Sequence, residues 1–191
     1  MNGAGAVYTL PEVDKSWSLF LDRDGVINIE KDEDYVRNEN EFYFYEGAPV
    51  AISIFNQLFG KVLIVTNQRG VGRGLMTEVD LENIHRYMRH SFAVVGGHID
   101  KIYYCTDTDL ESLNRKPNPG MGHQAKNDFP QIEFNKSIMV GNTTSDMQFG
   151  KNLGMFTVFI PSTKPMPELP DPLIDVVFPD LYSLAKALQK Q

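Results

Sequence analysis

Six short apolar runs alternate along this chain with longer stretches of helical periodicity. Continuous apolar, β-branched runs are typical of strands buried on both faces, and their alternation with helices predicts a parallel sheet with helices on both faces. We therefore expect an α/β protein. The predicted strands are Ser18 to Leu21, Val62 to Thr66, Lys101 to Cys105, Ser137 to Val140, Thr157 to Ile160 and Asp175 to Phe178. The predicted helices are Ala48 to Phe59, Thr77 to Val94, Gly120 to Asp128, Thr144 to Leu153 and Leu181 to Gln189.

Three local features refine this assignment. Pro49 in a first turn and Gly154 just past a periodic segment are typical of helix ends. Thr144 is expected to be the N-cap of the helix that follows the fourth strand. The aromatic run Phe42 to Tyr45 is expected to be a half-buried strand rather than a surface on which a sugar stacks.

Length and composition narrow the expectation further. A chain of 191 residues with 42% hydrophobic residues fits one domain over residues 1–191, of which residues 1–15 are expected to form a loosely ordered tail. No segment is apolar for the eighteen or so residues of a membrane span, and the N-terminus lacks a secretory pattern, so we expect no membrane partner and a cytoplasmic location. The net charge of -7 argues against nucleic acid as a partner. A monomer or a small homo-oligomer is expected.

The first predicted strand ends abruptly on two carboxylates, Asp22 and Asp24, one residue apart. In open parallel sheets, ligands bind just beyond the carboxyl ends of the strands, so both side chains are expected at the mouth of a crevice. Two like charges this close are costly unless a divalent cation lies between them or one carboxyl holds a proton. The pair therefore indicates a working site, whereas an ordinary Asp-Gly turn is the alternative for the motif taken alone.

Three further polar clusters follow predicted strands or precede predicted helices. They lie in the segments Thr66 to Gly74, Asn114 to Met121 and Gly141 to Asp146. The first offers a hydroxyl, an amide and a glycine-rich backbone that can approach an oxyanion closely. The adjacent cations of the second, Arg115 and Lys116, suit a phosphate group. Each cluster taken singly is also compatible with an ordinary loop or helix start.

The order of the four clusters is more specific than any one of them. An Asp-x-Asp-Gly pair, a strand-ending Thr-Asn, a Lys-Pro and a Gly-Asn-x-x-x-Asp, in this order, resemble the haloacid dehalogenase superfamily of aspartate-nucleophile phosphotransferases. The resemblance extends from Trp17 to Ile160 and implies a Rossmann-like, mostly parallel sheet. Residues 20–28, 66–74 and 115–121 look like the branch of histidinol phosphatases and heptose bisphosphatases, and the heptose-bisphosphatase side fits better.

The resemblance implies a phosphatase that works through an aspartyl-phosphate. Asp22 would attack phosphorus, and Asp24 would act as acid and base, which requires its pKa to lie above that of its neighbour. Thr66 and Lys116 would hold the oxygens of the transferring phosphoryl group. Magnesium is the expected cofactor, bound by Asp22 and the backbone carbonyl of Asp24.

Two regions depart from the pattern of this branch. The fourth motif usually begins Gly-Asp, and that Asp completes the metal site, whereas this chain has Asn142. The amide can still bind magnesium through oxygen, and Asp146, one helical turn on, is a further candidate ligand. The loop from Cys105 to Asn114 lacks the cysteine and histidine cluster of close relatives, and one thiolate cannot make that site, so no zinc is expected. The four histidines show no ligand spacing and are expected on the surface or on helices.

The gaps between the clusters indicate how a substrate is selected. The first gap, Val26 to Val65, is largely accounted for by one loop and one helix, and the second holds one helix and one strand. We therefore expect no cap domain and an open site. Among the candidate contacts, the arginines suit bidentate binding of a second phosphate. The residues expected to bind the substrate are Tyr35, Asn67, Gln68, Arg69, Arg73 and Arg115. A small phosphorylated sugar, first of all a heptose bisphosphate, is the leading substrate. Histidinol phosphate, a broad pool of phosphomonoesters, or a catalytically impaired phosphosugar-binding protein are the alternatives.

Overall fold

The computed structural model describes residues 9–32, 34–163 and 165–191. The strands are β1 (Ser18–Leu21), β2 (Lys61–Asn67), β3 (Lys101–Cys105), β4 (Ser137–Gly141), β5 (Phe156–Phe159) and β6 (Val176–Val177). The helices are α1 (Ala48–Leu58), α2 (Arg69–Gly72), α3 (Glu78–Val94), α4 (Gly120–Asp128), α5 (Thr144–Asn152) and α6 (Leu181–Leu188). The strands form one sheet in the order β3-β2-β1-β4-β5-β6, with every neighbouring pair parallel. The prediction of a parallel α/β sheet is confirmed.

The strands bury side chains on both faces of the sheet, in two large hydrophobic cores and a smaller cluster that contains Phe159 of β5. Leu19 and Leu21 of β1 belong to the core that also contains the buried faces of α1, α3 and α6. Phe20, between them, belongs to the core shared with α4 and α5. All three side chains are fully buried. A strand covered by helices on both faces needs apolar residues at every position, which explains the continuous apolar runs in the sequence.

Helix ends follow the local chemistry of the sequence, with one correction. Pro49 lies in the first turn of α1, and Gly154, with φ of 77°, follows α5. Thr77 caps α3 through a capping box with Asp80. The N-cap of α5 is Thr143, not Thr144 as predicted, because its hydroxyl reaches the backbone N–H of the third helical residue.

Short elements and the aromatic run differ from the sequence-based expectation. The glycine-rich segment after β2 contains the one-turn helix α2, and two 3-10 turns occur at Glu39–Glu41 and Phe134–Lys136. Phe42 to Tyr45 is not an extended strand: Phe44 forms an isolated bridge with Asn28. Phe42 and Phe44 instead pack against aromatic side chains of α3, so tertiary packing rather than strand pairing buries them.

In the part of the chain that the structure describes, no further folded unit covers the edge of the sheet at the carboxyl end of β1. Within the described residues, the connection from β1 to α1 contains only the 3-10 turn and isolated bridges. No helix in this described part is long and apolar enough to cross a membrane. Residues 1–8 of the expected tail lie outside the described residues. In the remainder, Leu10 and Val13 pack against the core, and Lys15 donates to two backbone carbonyls at the end of α1.

Candidate active site

The candidate site lies at the carboxyl end of β1, where the chain order of the sheet reverses. The strand pairs with β2 on one side and β4 on the other, so the loops after these three strands diverge and leave a crevice. Asp22 stays in register because its backbone N–H donates to Val140 O (2.9 Å). A cavity of about 210 Å³ opens here. It is lined by Asp22, Asp24, Glu30, Thr66, Asn67, Arg115, Lys116, Asn142, Thr143, Ser145 and Asp146.

Lys116 is the positive centre of this cavity. Its side chain is 2% exposed, and Nζ donates to Asp22 Oδ1 (2.8 Å) and to Val65 O (2.7 Å). A third contact, 2.6 Å long, joins Nζ to Asp146 Oδ1. Burial disfavours the charged amine, but the charges of Asp146 and Asp22 raise the pKa of Lys116 above its ordinary value. The lysine is therefore held as a fixed cation between two carboxylates.

Asp146 connects this cation to the start of α5. Its Oδ2 accepts hydrogen bonds from Asn142 N (3.2 Å), Thr143 N (3.0 Å) and Thr143 Oγ1 (2.7 Å), while Oδ1 faces Lys116. Both carboxylate oxygens are thus engaged by protein donors. The prediction that Asp146 binds the metal does not fit this arrangement, because the side chain has the geometry of a capping residue that also fixes Lys116.

Asp24 is held by a different set of donors. Arg23 Nη2 contacts both carboxylate oxygens (3.0 and 2.9 Å), Asn28 Nδ2 donates to Oδ1 (2.9 Å), and Gln68 Nε2 donates to Oδ2 (2.8 Å). Arg23 itself is 1% exposed and also donates to His85 Nε2 (3.3 Å). Asp24 is therefore fixed in position before any substrate binds.

The pKa values of the two aspartates are opposite to the order expected from the sequence. Burial raises the pKa of Asp22 to about 7, with Lys116 opposing the shift and Asp146 adding to it. Burial also acts to raise the pKa of Asp24, but the charge of Arg23 and the hydrogen bonds from Asn28, Arg23 and Gln68 bring it below its ordinary value. The difference arises from Arg23, whose role the motif alone did not reveal.

The residues that follow β2 connect the two halves of the site. Asn67 forms a two-point contact with the backbone of Lys116, donating to its carbonyl (3.2 Å) and accepting from its N–H (3.0 Å). Gln68, predicted to bind the substrate, is 2% exposed and holds Asp24, Arg23 and Thr66 instead. Thr66 Oγ1 accepts from Gln68 Nε2 (2.9 Å), so its own hydroxyl proton can be donated into the cavity.

The predicted arginines form a cationic group beside the cavity. Burial, and then the charges of neighbouring arginines that include Arg69 and Arg73, lower the pKa of Arg115. Arg73 Cζ lies 5.9 Å from the centre of the Tyr35 ring, and Tyr35 lines an adjoining cavity of about 140 Å³. Arg69 Nε and Arg115 Nη1 are buried and have no hydrogen-bond partner in the described part of the chain. Buried donors without acceptors are costly, and they favour binding of an anion.

Asn142 also fits a cation-binding role. It is fully buried, lines the cavity, and donates both amide hydrogens, to Glu30 Oε1 (2.8 Å) and Ser162 Oγ (3.0 Å). Its Oδ1 is buried without a partner among residues 9–32, 34–163 and 165–191. Gly25, with φ of 84°, allows this close approach, since a Cβ there would lie 2.0 Å from Asn142 Nδ2.

A divalent cation fits this donor set. The described residues contain no group of three or more His, Cys, Asp or Glu side chains positioned to hold a metal, so a cation here needs a ligand of another kind. The free Oδ1 of Asn142 beside the carboxylate of Asp22 is such a ligand, because magnesium is bound by carboxylate and amide oxygens.

The loop from Cys105 to Asn114 is organised by hydrogen bonds. Ser112 Oγ donates to Asp107 Oδ2, which lies 3.6 Å from Cys105 Sγ. Asn118 Nδ2 donates to Ser112 O (2.9 Å), and Arg115 N donates to the same carbonyl (3.0 Å). These contacts fix the loop that carries Arg115 next to Lys116.

Four positioning residues were not predicted as part of the site. Arg23 and Asn28 donate to Asp24, and Glu30 accepts from Asn142, so these three contact residues that line the cavity. His85 acts one contact further out, through Arg23. Arg23 and Asn28 lie in the segment of residues 20–28 that carries the aspartate pair. The polar residues that follow the strand in this segment are the sequence feature from which both could have been predicted. His85 and Glu30 carried no such signal, because their contacts are set by tertiary packing.

This fold and site define a class of protein. A parallel sheet with an aspartate pair beyond its central strand, a buried lysine and a strand-ending threonine is the arrangement of haloacid dehalogenase-type phosphatases, so the predicted superfamily is confirmed. A family model described as polynucleotide kinase 3 phosphatase matches residues 19–160. The chain belongs to this family.

Curated relatives and solved structures agree with this placement. The chain is 37% identical over 154 residues to the D-glycero-alpha-D-manno-heptose-1,7-bisphosphate 7-phosphatase of Burkholderia mallei, covering 76% of this chain and 80% of the relative. It is 34% identical to the D-glycero-beta-D-manno-heptose-1,7-bisphosphate 7-phosphatase of Salmonella typhi, over 91% and 96% of the two chains. The crystal structure of D,D-heptose 1,7-bisphosphate phosphatase from B. bronchiseptica, complexed with magnesium and phosphate, superposes with a TM-score of 0.80 at 28% identity and covers 91% and 98% of the chains.

Proposed function

We propose that the protein is a magnesium-dependent phosphatase that removes one phosphate from a heptose 1,7-bisphosphate. The observation that carries this proposal is the pairing of two anion sites: the Lys116 cavity, and the buried, unpartnered donors of Arg69 and Arg115 beside it. The names of the curated relatives, which are heptose-1,7-bisphosphate 7-phosphatases, support the same substrate. Such an activity is compatible with the cytoplasmic location predicted from the sequence.

In the proposed reaction, Asp22 is the nucleophile. Its carboxylate attacks phosphorus, the bond from phosphorus to the sugar oxygen breaks, and an aspartyl-phosphate forms. Lys116, fixed by Asp146, and the hydroxyl of Thr66 bind the phosphoryl oxygens as charge develops on them. Asp24 gives a proton to the departing alkoxide and then takes one from the water that hydrolyses the intermediate.

The low pKa of Asp24 is compatible with this role because a phosphoryl dianion entering the cavity raises the pKa of a neighbouring carboxyl. Arg23, Asn28 and Gln68 keep the carboxylate in one orientation throughout. Asp22, the backbone carbonyl of Asp24 and Asn142 would hold magnesium. When bound, the cation neutralises phosphoryl charge and favours the ionised form of the nucleophile.

The second phosphate would occupy the arginine group. Arg115 lines the catalytic cavity and lies next to Lys116 in sequence, so this group borders the reacting phosphate. The guanidinium fork suits a phosphate dianion, which would satisfy the buried donors of Arg69 and Arg115. A substrate with one phosphate would leave these donors unpaired, and this difference would give the selectivity.

The test is a substrate panel with magnesium. We expect kcat/KM for heptose 1,7-bisphosphate to exceed that for heptose 7-phosphate and histidinol phosphate by at least about tenfold. Arg115→Met should reduce this preference while leaving heptose 7-phosphate turnover within a few-fold. A preference for histidinol phosphate would overturn the sugar assignment, and equal turnover of all three would favour a broad-specificity phosphatase.

The covalent step has its own test. Asp22→Asn removes the nucleophile with little change in volume, so turnover should fall by at least about 1,000-fold while the fold is kept. Phosphate release and circular dichroism of the two proteins provide the measurement. Normal magnesium binding without turnover of any phosphomonoester by the unaltered protein would instead indicate a phosphosugar-binding protein.

A further inference from the structure

The contact between Glu30 and Asn142 joins two parts of the chain that are 112 residues apart in sequence. Asn142 Nδ2 donates to Glu30 Oε1 at 2.8 Å, and Glu30 lines the same cavity as Asp22 and Asp24. Thr163 Oγ1 also donates to Glu30 Oε1. The carboxylate is therefore held at the edge of the candidate cation site.

This contact decides which way the amide of Asn142 points. An amide nitrogen has two donors and no acceptor, and both donors are taken here, by Glu30 Oε1 and by Ser162 Oγ at 3.0 Å. The nitrogen must then face these two acceptors. Oδ1 is left buried in the cavity wall with no partner in the described residues, in the orientation that a cation requires.

Charge is the second part of the argument. An aspartate at position 142 would bring a negative charge to the cavity, and Asn142 brings none. Glu30 supplies a carboxylate 2.8 Å from that amide. The negative charge therefore lies behind the Asn142 amide, on the residue that contacts it, rather than on residue 142 itself. A carboxylate that binds a metal ligand commonly orients that ligand and strengthens its binding.

We propose that Glu30 is a positioning residue of the cation site, which holds the Asn142 amide with Oδ1 toward the cation and supplies the negative charge that an aspartate at position 142 would carry. The proposal rests on the proposed function only in requiring that the site binds magnesium. It explains how this chain keeps a cation site with an amide as ligand.

The experiment is calorimetric titration of the full chain with MgCl₂ in the absence of substrate. Four proteins are compared: the unaltered chain, Glu30→Gln, Asn142→Asp and the double variant. Glu30→Gln should weaken magnesium binding by about tenfold or more. Asn142→Asp should tighten it, because a charged ligand replaces a neutral one. The double variant, which has the original number of charges, should bind magnesium more tightly than Glu30→Gln and close to the unaltered chain.

Glu39→Gln is the matched control, because it removes one carboxylate from an exposed position in the same connection. It should leave magnesium affinity unchanged, and thermal unfolding without magnesium should show that each variant is folded. Manganese as a probe provides a second readout, since its electron paramagnetic resonance spectrum reports bound ion directly.

The outcomes separate the two proposals. Glu30→Gln binding magnesium as tightly as the unaltered chain, Glu39→Gln weakening it equally, or the double variant failing to recover affinity would each overturn the role of Glu30. If the unaltered chain bound no magnesium, the role of Glu30 and the proposed cofactor would both fall. The expected order of affinities without turnover of any phosphomonoester would leave the role of Glu30 intact and overturn the proposed function alone.

Discussion

At the scale of single residues, Lys116 determines the electrostatics of the site. It is the cation between the buried carboxylates of Asp22 and Asp146, at 2.8 and 2.6 Å. A buried charge pair adds little net stability compared with apolar residues, but removal of one partner leaves the others uncompensated. Removal of any one of these three charged side chains is therefore expected to destabilise the folded protein.

Replacing this lysine should be costly for the fold itself. Lys116→Met leaves two buried carboxylates without their cation, and we expect a loss of about 3–5 kcal/mol in the free energy of unfolding. Denaturant unfolding at pH 7 without magnesium measures it. Lys101→Met, which removes an exposed ion pair with Asp128, is the control and should cost less than about 1 kcal/mol. Equal losses in the two variants would contradict the central role of Lys116.

His85 shows how a buried residue far along the chain supports the site. It is 1% exposed on α3 and accepts a hydrogen bond from Arg23, the partner of Asp24. Burial, and then the charge of Arg23, lower the pKa of His85 from 6.5 to about 3. The imidazole is therefore neutral at physiological pH, which is the form that can accept from the guanidinium.

This low pKa predicts a specific loss of stability in acid. Because the folded-state pKa lies below the unfolded-state value of 6.5, the unfolded chain binds the proton more tightly, and stability is lost as the pH falls through about 6.5. Between pH 8 and pH 5, the contribution of His85 to the unfolding free energy should fall by about 2 kcal/mol, whatever the contributions of other groups.

Comparison with His85→Gln, which can still accept from Arg23, isolates the contribution of His85. That variant should lose about 2 kcal/mol less than the unaltered chain over the same pH range. His90→Gln on the exposed side of α3 is the control and should behave like the unaltered chain. The explanation would be wrong if both variants showed the same pH dependence as the unaltered protein.

At the scale of elements, Lys116 is held in place by the end of one strand and the start of one helix. The N-terminus of α5 carries a capping box in which Asp146 binds Thr143 and also contacts Lys116. Asn67, the last residue of β2, binds the backbone of Lys116 from the other side. The carboxylate of Asp146 therefore both caps α5 and fixes the position of Lys116.

The capping boxes at the starts of α3 and α5 allow a controlled test of this dual role of Thr143 and Asp146. Thr143→Ala and Thr77→Ala each remove an N-cap hydroxyl from the same motif and should each cost about 1 kcal/mol of stability. Thr143→Ala alone should also lower kcat, by about tenfold, because it loosens Asp146 and with it Lys116. Unfolding free energies and steady-state kinetics separate the two effects. A similar fall in kcat for Thr77→Ala would show that stability alone is responsible.

At the scale of the whole molecule, the sheet order and the charge distribution decide what reaches the site. Placing β1 between β2 and β4 brings three loops to one edge, and no cap covers that edge in the described residues. The net charge is -7, while cations are concentrated beside the cavity. A small anion can be attracted locally, whereas a long polyanion meets an acidic surface.

This charge distribution predicts a low activity on nucleic acid, although the family is described as polynucleotide kinase 3 phosphatase. We expect kcat/KM for a 3'-phosphorylated oligonucleotide to be at least about 100-fold below that for heptose 1,7-bisphosphate at physiological salt. Parallel phosphate-release assays measure both values. Comparable values for the two substrates would contradict the sugar assignment.

The elements were predictable because they depend on local periodicity. Ser18–Leu21, Lys101–Cys105 and Gly120–Asp128 have the bounds predicted from the sequence, since buried strands and amphipathic helices impose apolar patterns on adjacent residues. The one-turn helix Arg69–Gly72 was missed, because four residues carry too little periodicity. The aromatic run was assigned to a strand, because a run of aromatic residues looks the same in the sequence whether strand pairing or packing on α3 buries it.

By itself, the sequence determined the α/β class, the strands and the polar residues that follow them, because these depend on neighbours in the chain. Only the tertiary structure decided that Asp146 faces Lys116, that Arg23 lowers the pKa of Asp24, and that Glu30 meets Asn142 across 112 residues. Such contacts depend on which loops the sheet order brings to one edge and on the rotamers that burial permits. Neither is encoded in the spacing of a local motif.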